Sequence, residues 1–220
     1  MKIVCISDTH GFHNQFTQVI NELEADVLIH AGDFTRHGTV QDCSSFLNWY
    51  AGFTHIPNKL FICGNHDEFP EKYPVLFDNL VAEFPEVTYL HHRQVTIDGV
   101  KFWGSNYSPA FWNWFWMVRR GEPSRILWDM IPEETNILVT HGPVHDILDE
   151  TVDGIRAGCE ALHERIADMN QLKLHVCGHI HEARGEGCWE IGNTVWKRFV
   201  NASLINEQYR PVHKPIIVEL

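Results

Sequence analysis

Lys2-Ile3-Val4-Cys5-Ile6-Ser7-Asp8-Thr9-His10 opens the chain with an unbroken apolar run, Ile3 to Ile6, that stops on a carboxylate and an imidazole. A run apolar at every position suits a strand covered on both faces, since alternation is needed only where one face meets water. An amphipathic stretch from about Asn14 to Leu23 follows, then the mostly apolar Asp26 to Ala31. A helical pattern through Phe46, Leu47 and Tyr50 leads into a third apolar run, Lys59 to Cys63. The order is βαβαβ, which predicts parallel strands joined by helical crossovers. Ligands of such sheets collect beyond the carboxyl ends of the strands. Asp8, Asp33 and Asn65 stand there.

The second half carries more β structure. Val87 to Ile97 and Val100 to Gly104 predict a hairpin turning at Asp98-Gly99. Asn136 to Thr140 reads as a short strand ending at His141, and Gly154 to Met169 as a helix leading into a strand from Leu172 to Cys177. Cys188 to Ile191, Thr194 to Val200 and Ile216 to Glu219 are the last expected strands, with a turn at Gly192-Asn193. Five short pieces therefore mark strand ends, and none is expected in a helix: Asp8-Thr9-His10, Gly32-Asp33, Gly64-Asn65-His66-Asp67, Thr140-His141-Gly142 and Gly178-His179-Ile180-His181. An extended backbone at the last of these would point His179 and His181 the same way.

At 220 residues, without internal repeat, linker or low-complexity tract, the chain is expected to form one domain over residues 1–220. A formal net charge of −12 works against attraction to polymeric nucleic acid and to anionic membranes, although bound dications would reverse the sign locally. No segment offers the twenty or so apolar residues of a membrane span, and the opening run is too short for a secretory leader. The six cysteines show no paired CxxC spacing. They are expected to be reduced, buried small hydrophobes in a cytoplasmic protein.

The five pieces hold three carboxylates, one amide and five imidazoles. That is an oxygen-and-nitrogen donor set large enough for two divalent cations about 3.5 to 4 Å apart. Such donors suit Mn²⁺, Fe²⁺ or Zn²⁺ without a thiolate; manganese is the expected metal, with iron and zinc as alternatives. Two dications held by only two charged ligands, Asp8 and Asp33, would keep a charge of about +2. That charge attracts an anionic phosphate and lowers the pKa of a bound water, so that hydroxide is available for in-line attack on phosphorus. Asn65 would add a neutral oxygen and leave that charge intact.

In this order and over the whole chain, these pieces resemble the calcineurin-like metallophosphoesterase superfamily. Thr140-His141-Gly142-Pro143, Gly178-His179-Ile180-His181-Glu182 and Asn201-Ala202-Ser203 followed by Lys214-Pro215-Ile216-Ile217 look more narrowly like its small, single-domain metallophosphoesterase-domain phosphodiesterases. The resemblance implies an α/β fold, a two-sheet mixed β sandwich flanked by helices in four αββα layers. It implies a first metal held by Asp8, His10, Asp33 and His181, and a second by Asp33, Asn65, His141 and His179, with Asp33 bridging. His66 would be the non-ligand that stabilises developing charge and protonates the leaving oxygen, and Asp67 would orient its ring. The chemistry agrees, because a metal-bound nitrogen has no proton to donate.

Taken singly, each piece also has a plainer explanation. Asp8, Asp33 and Asn65 could be helix N-caps, and His141 a structural histidine. His30, Arg36 and His37 flank Asp33 and are candidates to support ligands or touch substrate. His55, His91, His92, His163, His175 and His213 are expected to be surface or packing residues. The run Phe111-Trp112-Asn113-Trp114-Phe115-Trp116-Met117, with Arg119-Arg120 beyond it, could stack a nucleobase and pair with phosphate. Its alternatives are a packed helix or a homo-oligomer face through Trp112 to Trp116. The expected function is metal-dependent hydrolysis of small phosphodiesters, cyclic nucleotides first, with a phosphomonoesterase or a catalytically silent scaffold as alternatives. A scaffold would be free to lose Asn65, His66 or His181, and all three are present. Selectivity is expected from loops near Gly38 to Asp42, Glu68 to Tyr73 and Trp112 to Glu122.

Overall fold

The computed structural model describes residues 1–192 and 195–220; Asn193 and Thr194, in the expected last turn and strand start, lie outside the described residues. β1 (Lys2–Ile6), α1 (Thr17–Asn21), β2 (Val27–Ala31), α2 (Val40–Ala51) and β3 (Asn58–Ile62) form the expected crossover unit, with the three strands parallel. A capping box starts α2, in which Thr39 and Asp42 each accept the other's backbone N–H. The helix then buries Cys43, Phe46, Leu47 and Tyr50, and the Tyr50 hydroxyl reaches the Leu28 and Leu60 carbonyls of β2 and β3 at 2.9 and 2.8 Å.

After α3 (Glu68–Lys72) and α4 (Pro74–Ala82), the single strand expected from Val87 to Ile97 divides between two sheets. β4 (Val87–Tyr89) adds in parallel to β3, whereas β5 (Arg93–Ile97) pairs antiparallel with β6 (Val100–Ser105) in the other sheet. Leu90 N–H still bonds Phe61 of the first sheet, but two residues later His92, at φ 47°, bonds Gly104 of the second. The expected turn at Asp98-Gly99 has φ 48° and 79°, the doubly left-handed geometry of a tight hairpin.

β7 (Ser108–Pro109) and β8 (Met117–Val118) form a short parallel pair at the two ends of the aromatic run. The chain continues through α5 (Glu122–Trp128), β9 (Ile137–Thr140), α6 (Glu160–Asp168), β10 (Leu174–Cys177), β11 (Gly185–Ile191), β12 (Val195–Asn201) and β13 (Ile216–Glu219). α6 starts later than the Gly154 expected for it. The preceding loop is held out of helix by the buried Asp149 carboxylate, which accepts the Asp146 and Gly158 N–H groups at 3.0 Å each and meets the Arg156 guanidinium at 3.3 Å.

The sheets run β13-β1-β2-β3-β4 and β11-β12-β10-β9-β6-β5. Ile3, Cys5, Val27, Ile29, Leu60 and Ile62 of the first face Phe102, Ile137, Val139, Leu174 and Val176 of the second across one buried layer. Their alternate neighbours pack outward: Val4, Ile6 and Phe61 beneath Phe46, Tyr50 and Phe77, and Leu138 and Phe199 beneath Trp128, Leu162 and Ile166. Helix, sheet, sheet, helix is the four-layer mixed sandwich that strands apolar on both faces require.

Candidate metal centre

The strands end in sharp left-handed turns. Asp8, His10, Asp33 and His179 have φ of 53°, 41°, 55° and 71°, a conformation that costs a non-glycine residue about 1 kcal/mol or more and clusters at functional sites. Hydrogen bonds between the loops hold it: Asp8 N–H to Gly32 O at 2.9 Å, His10 N–H to Asp33 O at 3.0 Å and Gly178 N–H to His141 O at 3.1 Å. Two glycines permit the approach. A Cβ at Gly64 would collide with the Asp33 carboxylate, and one at Gly178 with the Ser7 hydroxyl and the Asp8 carboxylate.

In the gap between the sheets, Asp33 Oδ2 lies 3.6 Å from His10 Nε2 and 3.3 Å from His141 Nε2. His181 Nε2 is 3.4 Å from Asp8 Oδ1, and His141 Nε2 is 3.0 Å from Asn65 Oδ1. The donors fall into three overlapping groups of ligating reach: Asp8-His10-His181, His10-Asp33-His66 and Asp33-His141-His179. The seven residues expected at the metals thus converge.

Their chemistry fits cations. Both ring nitrogens of His10 are buried without a hydrogen-bond partner, a loss that a cation would relieve. His141 and His181 each direct Nδ1 at a carbonyl, Ala31 at 2.9 Å and Asn206 at 3.2 Å, so Nε2 is the atom each turns towards the carboxylates, to Asp33 at 3.3 Å and Asp8 at 3.4 Å. Burial pulls His10 and His179 down to about 3, so both are neutral donors near neutral pH. Burial works to raise the Asp8 and Asp33 carboxyls, but His181 beside Asp8 and His141 beside Asp33 outweigh it and hold both below the usual carboxylate range. The reverse of that pairing carries His141 up to about 9 against its burial.

Two expectations are corrected. Asp67 does not reach the His66 ring. Its carboxylate accepts N–H groups from Gly64, Asp33 and Thr35 at 2.8, 3.0 and 2.9 Å and the Thr35 hydroxyl at 2.7 Å, which uses its lone pairs to tie two loops together. Burial and the Asp33 charge raise its carboxyl to about 7. Nor is the backbone extended at the last piece: His179 is left-handed and His181 begins a 3₁₀ turn, His181–Ala183. The two imidazoles therefore diverge, His179 towards the His141 ring at 5.0 Å and His181 towards Asp8.

His66 instead has Nδ1 3.4 Å from the Arg36 carbonyl and Nε2 3.5 Å from the Tyr209 hydroxyl, with its ring 4.3 Å from that of Trp114. Tyr209 escaped sequence reasoning because no local pattern marks it. His30 and His175 prove to be braces: His30 meets Thr9 of the first loop at 3.0 Å, and His175 meets Thr140 beside His141 at 2.8 Å. Of the flanking candidates, Arg36 contributes its carbonyl, while the His37 side chain is exposed.

The aromatic run is a loop, not a helix. Trp116 turns inward and donates its indole N–H to Asp67 O at 3.0 Å, whereas Phe111, Trp112 and Trp114 join His66 and His179 in walling a cavity of about 640 Å³. Arg120 also borders it, already bonded to the Ala157 and Gly158 carbonyls at 2.7 Å and paired with Glu160. Of the three expected selectivity loops, only Trp112 to Glu122 lines the cavity among the described residues; Thr151, Val152, Asp153, Ile155 and Ala157 and the turn at Tyr209 line it as well.

Residues 1–183 match the family described as "Calcineurin-like phosphoesterase". The chain belongs to that family. This phosphoesterase is 33% identical over 240 residues to the human "Metallophosphoesterase domain-containing protein 1", an alignment spanning all of the chain and 71% of the relative. It is 36% identical over 229 residues to a UPF0046 protein of Caenorhabditis elegans, covering 99% of the chain and 74% of the relative. Among solved structures, a dimetal phosphatase from Danio rerio shares the fold at a TM-score of 0.61 and 10% identity, over 99% of this chain and 91% of that one. Family membership and the buried Asp/His groups together make this a metal-dependent phosphoesterase. Among the described residues no helix is long and apolar enough to cross a membrane.

Proposed function

We propose that this phosphoesterase hydrolyses small phosphodiesters, cyclic nucleotides first among them, at a centre of two divalent cations, manganese foremost. The observation that carries the reading is Asp33, whose Oδ2 stands within 3.6 Å of His10 and 3.3 Å of His141 and so belongs to both groups of donors. Asp8, His10, Asp33 and His181 would hold one ion, and Asp33, Asn65, His141 and His179 the other. When bound, the cations supply positive charge for phosphate oxygens and acidify water for the attack.

The chain's own residues do the rest. Asn65 adds an oxygen without adding charge. His66 directs Nδ1 at the Arg36 carbonyl, which can only accept, so the proton for the leaving oxygen comes from Nε2 on the cavity side. Phe111, Trp112 and Trp114 offer flat apolar walls to the organic arms of a diester. The rim carries Asp153, Glu182 and Glu207, while Arg120, which lines it, is already paired with Glu160, which favours a singly charged diester over a doubly charged monoester. A reducing, cytoplasmic setting suits the six free thiols, of which five are buried as expected and Cys188 is exposed against expectation.

The test is a turnover panel on metal-reconstituted protein, comparing bis(p-nitrophenyl) phosphate, p-nitrophenyl phosphate and several cyclic nucleotides. Diester turnover under Mn²⁺, abolished by chelation, is expected. Faster monoester turnover would make the chain a phosphomonoesterase, and metal binding without any turnover would leave a scaffold.

A further inference from the structure

Residues 184–220 lie beyond the family match, yet a tight turn within them, Asn206 to Arg210, reaches back to two imidazoles of the centre. The Asn206 carbonyl accepts from His181 Nδ1 at 3.2 Å, and the Tyr209 hydroxyl stands 3.5 Å from His66 Nε2. The Tyr209 ring also lies 5.0 Å from that of His10 and 5.3 Å from that of His181.

The turn is built to hold that ring. Asn206 Oδ1 accepts the N–H groups of Gln208 and Arg210 at 3.1 and 2.9 Å. The Asn206 backbone accepts from Tyr209 N–H at 2.9 Å and donates to Arg210 O at 3.0 Å, and Ile205 bridges to Pro211 beneath. Tyr209 itself is left-handed, at φ 58°. A bulky side chain keeps that conformation only where its surroundings impose it.

A hydroxyl suits the place. With Nδ1–H committed to Arg36, His66 Nε2 is bare in the neutral ring and protonated in the imidazolium. A carbonyl or carboxylate could bond only the second form, whereas a phenol donates to the first and accepts from the second. At 3.5 Å the contact is also long enough to yield when a leaving oxygen arrives. We propose that Tyr209 is a positioning residue whose hydroxyl holds His66 Nε2 towards the cavity, where a leaving oxygen would take its proton. The proposal rests on the reading of His66 as proton donor in phosphodiester hydrolysis. In that step the Nε2–H bond breaks as the O–H bond of the departing alcohol or phenol forms.

Tyr209→Phe removes the hydroxyl and keeps the ring. On metal-reconstituted protein it is expected to lower kcat about tenfold for diphenyl phosphate, whose phenolate leaves poorly, and less than about threefold for bis(p-nitrophenyl) phosphate, with metal content retained and KM little moved. Added to His66→Ala it is expected to cost nothing further. Equal losses on both substrates, or losses that add to those of His66→Ala, would overturn the proposal. A second readout needs neither metal nor turnover: ¹⁵N NMR of the His66 ring, in which the Nε2 resonance is expected to shift in Tyr209→Phe as its hydrogen bond is lost, while Nδ1–H stays bonded to Arg36. An unmoved Nε2 resonance also overturns it. If the native chain turns over no diester, the activity reading falls, and the NMR result still decides whether Tyr209 orients His66.

Discussion

Asp67 shows how one side chain can serve a site without touching the reacting atoms. Four donors from the loops of Asp33, Thr35 and Gly64 converge on its buried carboxylate. Asp67→Ala would strand those donors in the interior, so an unfolding free energy lower by about 2–4 kcal/mol is expected in urea titrations. A loss below about 1 kcal/mol would mean that water replaces the carboxylate. For His66→Ala, both metals should remain while turnover of diesters with poor leaving groups falls about a hundredfold or more. Full rates would remove His66 as the donor, and loss of one metal equivalent would make it a ligand instead, as its place in the His10-Asp33-His66 group allows. The braces carry a pH signature. Burial lowers His30 and His175 from the usual 6.5 to about 3, so between these values the unfolded chain takes up protons that the folded chain refuses. Stability is therefore full above about pH 6.5 and falls on acidification by about 1.4 kcal/mol per pH unit for each residue. The urea midpoint should drop from pH 6.5 to pH 5, and His175→Gln should flatten that slope. An unchanged slope would show that His175 is protonated in the fold.

At the scale of elements, strands and helices whose burial pattern is local agree with their sequence, and those decided by distant partners depart from it. β1, β2, β3 and α2 follow their apolar runs and cap closely. β4 and β5 read as one strand because nothing local marks the point at which hydrogen bonding passes from Phe61 to Gly104. The aromatic run was open to reading as a helix, but its ends pair as β7 and β8 and Trp116 is drawn inward by the Asp67 carbonyl. What this loop does is open to measurement. Trp112 is 86% exposed at the cavity mouth, so Trp112→Ala should leave stability within about 0.5 kcal/mol while raising KM for aryl diesters severalfold. An unmoved KM would put the indole outside the substrate's path. The strand-end turns are less tolerant. Gly178→Ala would drive a methyl into the Ser7 hydroxyl and the Asp8 carboxylate, and about a hundredfold loss of turnover with weaker cation binding is expected, the far-UV circular dichroism being retained. Normal cation affinity in that variant would show that the turn can shift without moving Asp8.

For the whole molecule, the centre lies where the two sheets meet, and its donors come from both. A cation that binds only the folded chain stabilises it by about 2.7 kcal/mol per site at a hundredfold excess over Kd. Chelation should accordingly lower the Tm by several degrees, and an unmoved Tm would mean that the pocket holds no cation tightly. The sequence by itself determined the apolar runs, their order and the chemical types at their ends, because covering a strand on both faces and turning the chain at its end are short-range demands. It determined the donor set for the same reason, since each piece spans only two to four residues. The tertiary structure alone decided which donor meets which partner. His179 N–H finds Asp8 across 171 residues of sequence, and His181 and His179 part company because one left-handed residue swings the backbone between them. The fate of Asp67 and the reach of Tyr209 were decided there too. A carboxylate takes whichever donors packing brings closest, and a turn far along the chain meets His66 and His181 only through the tertiary fold.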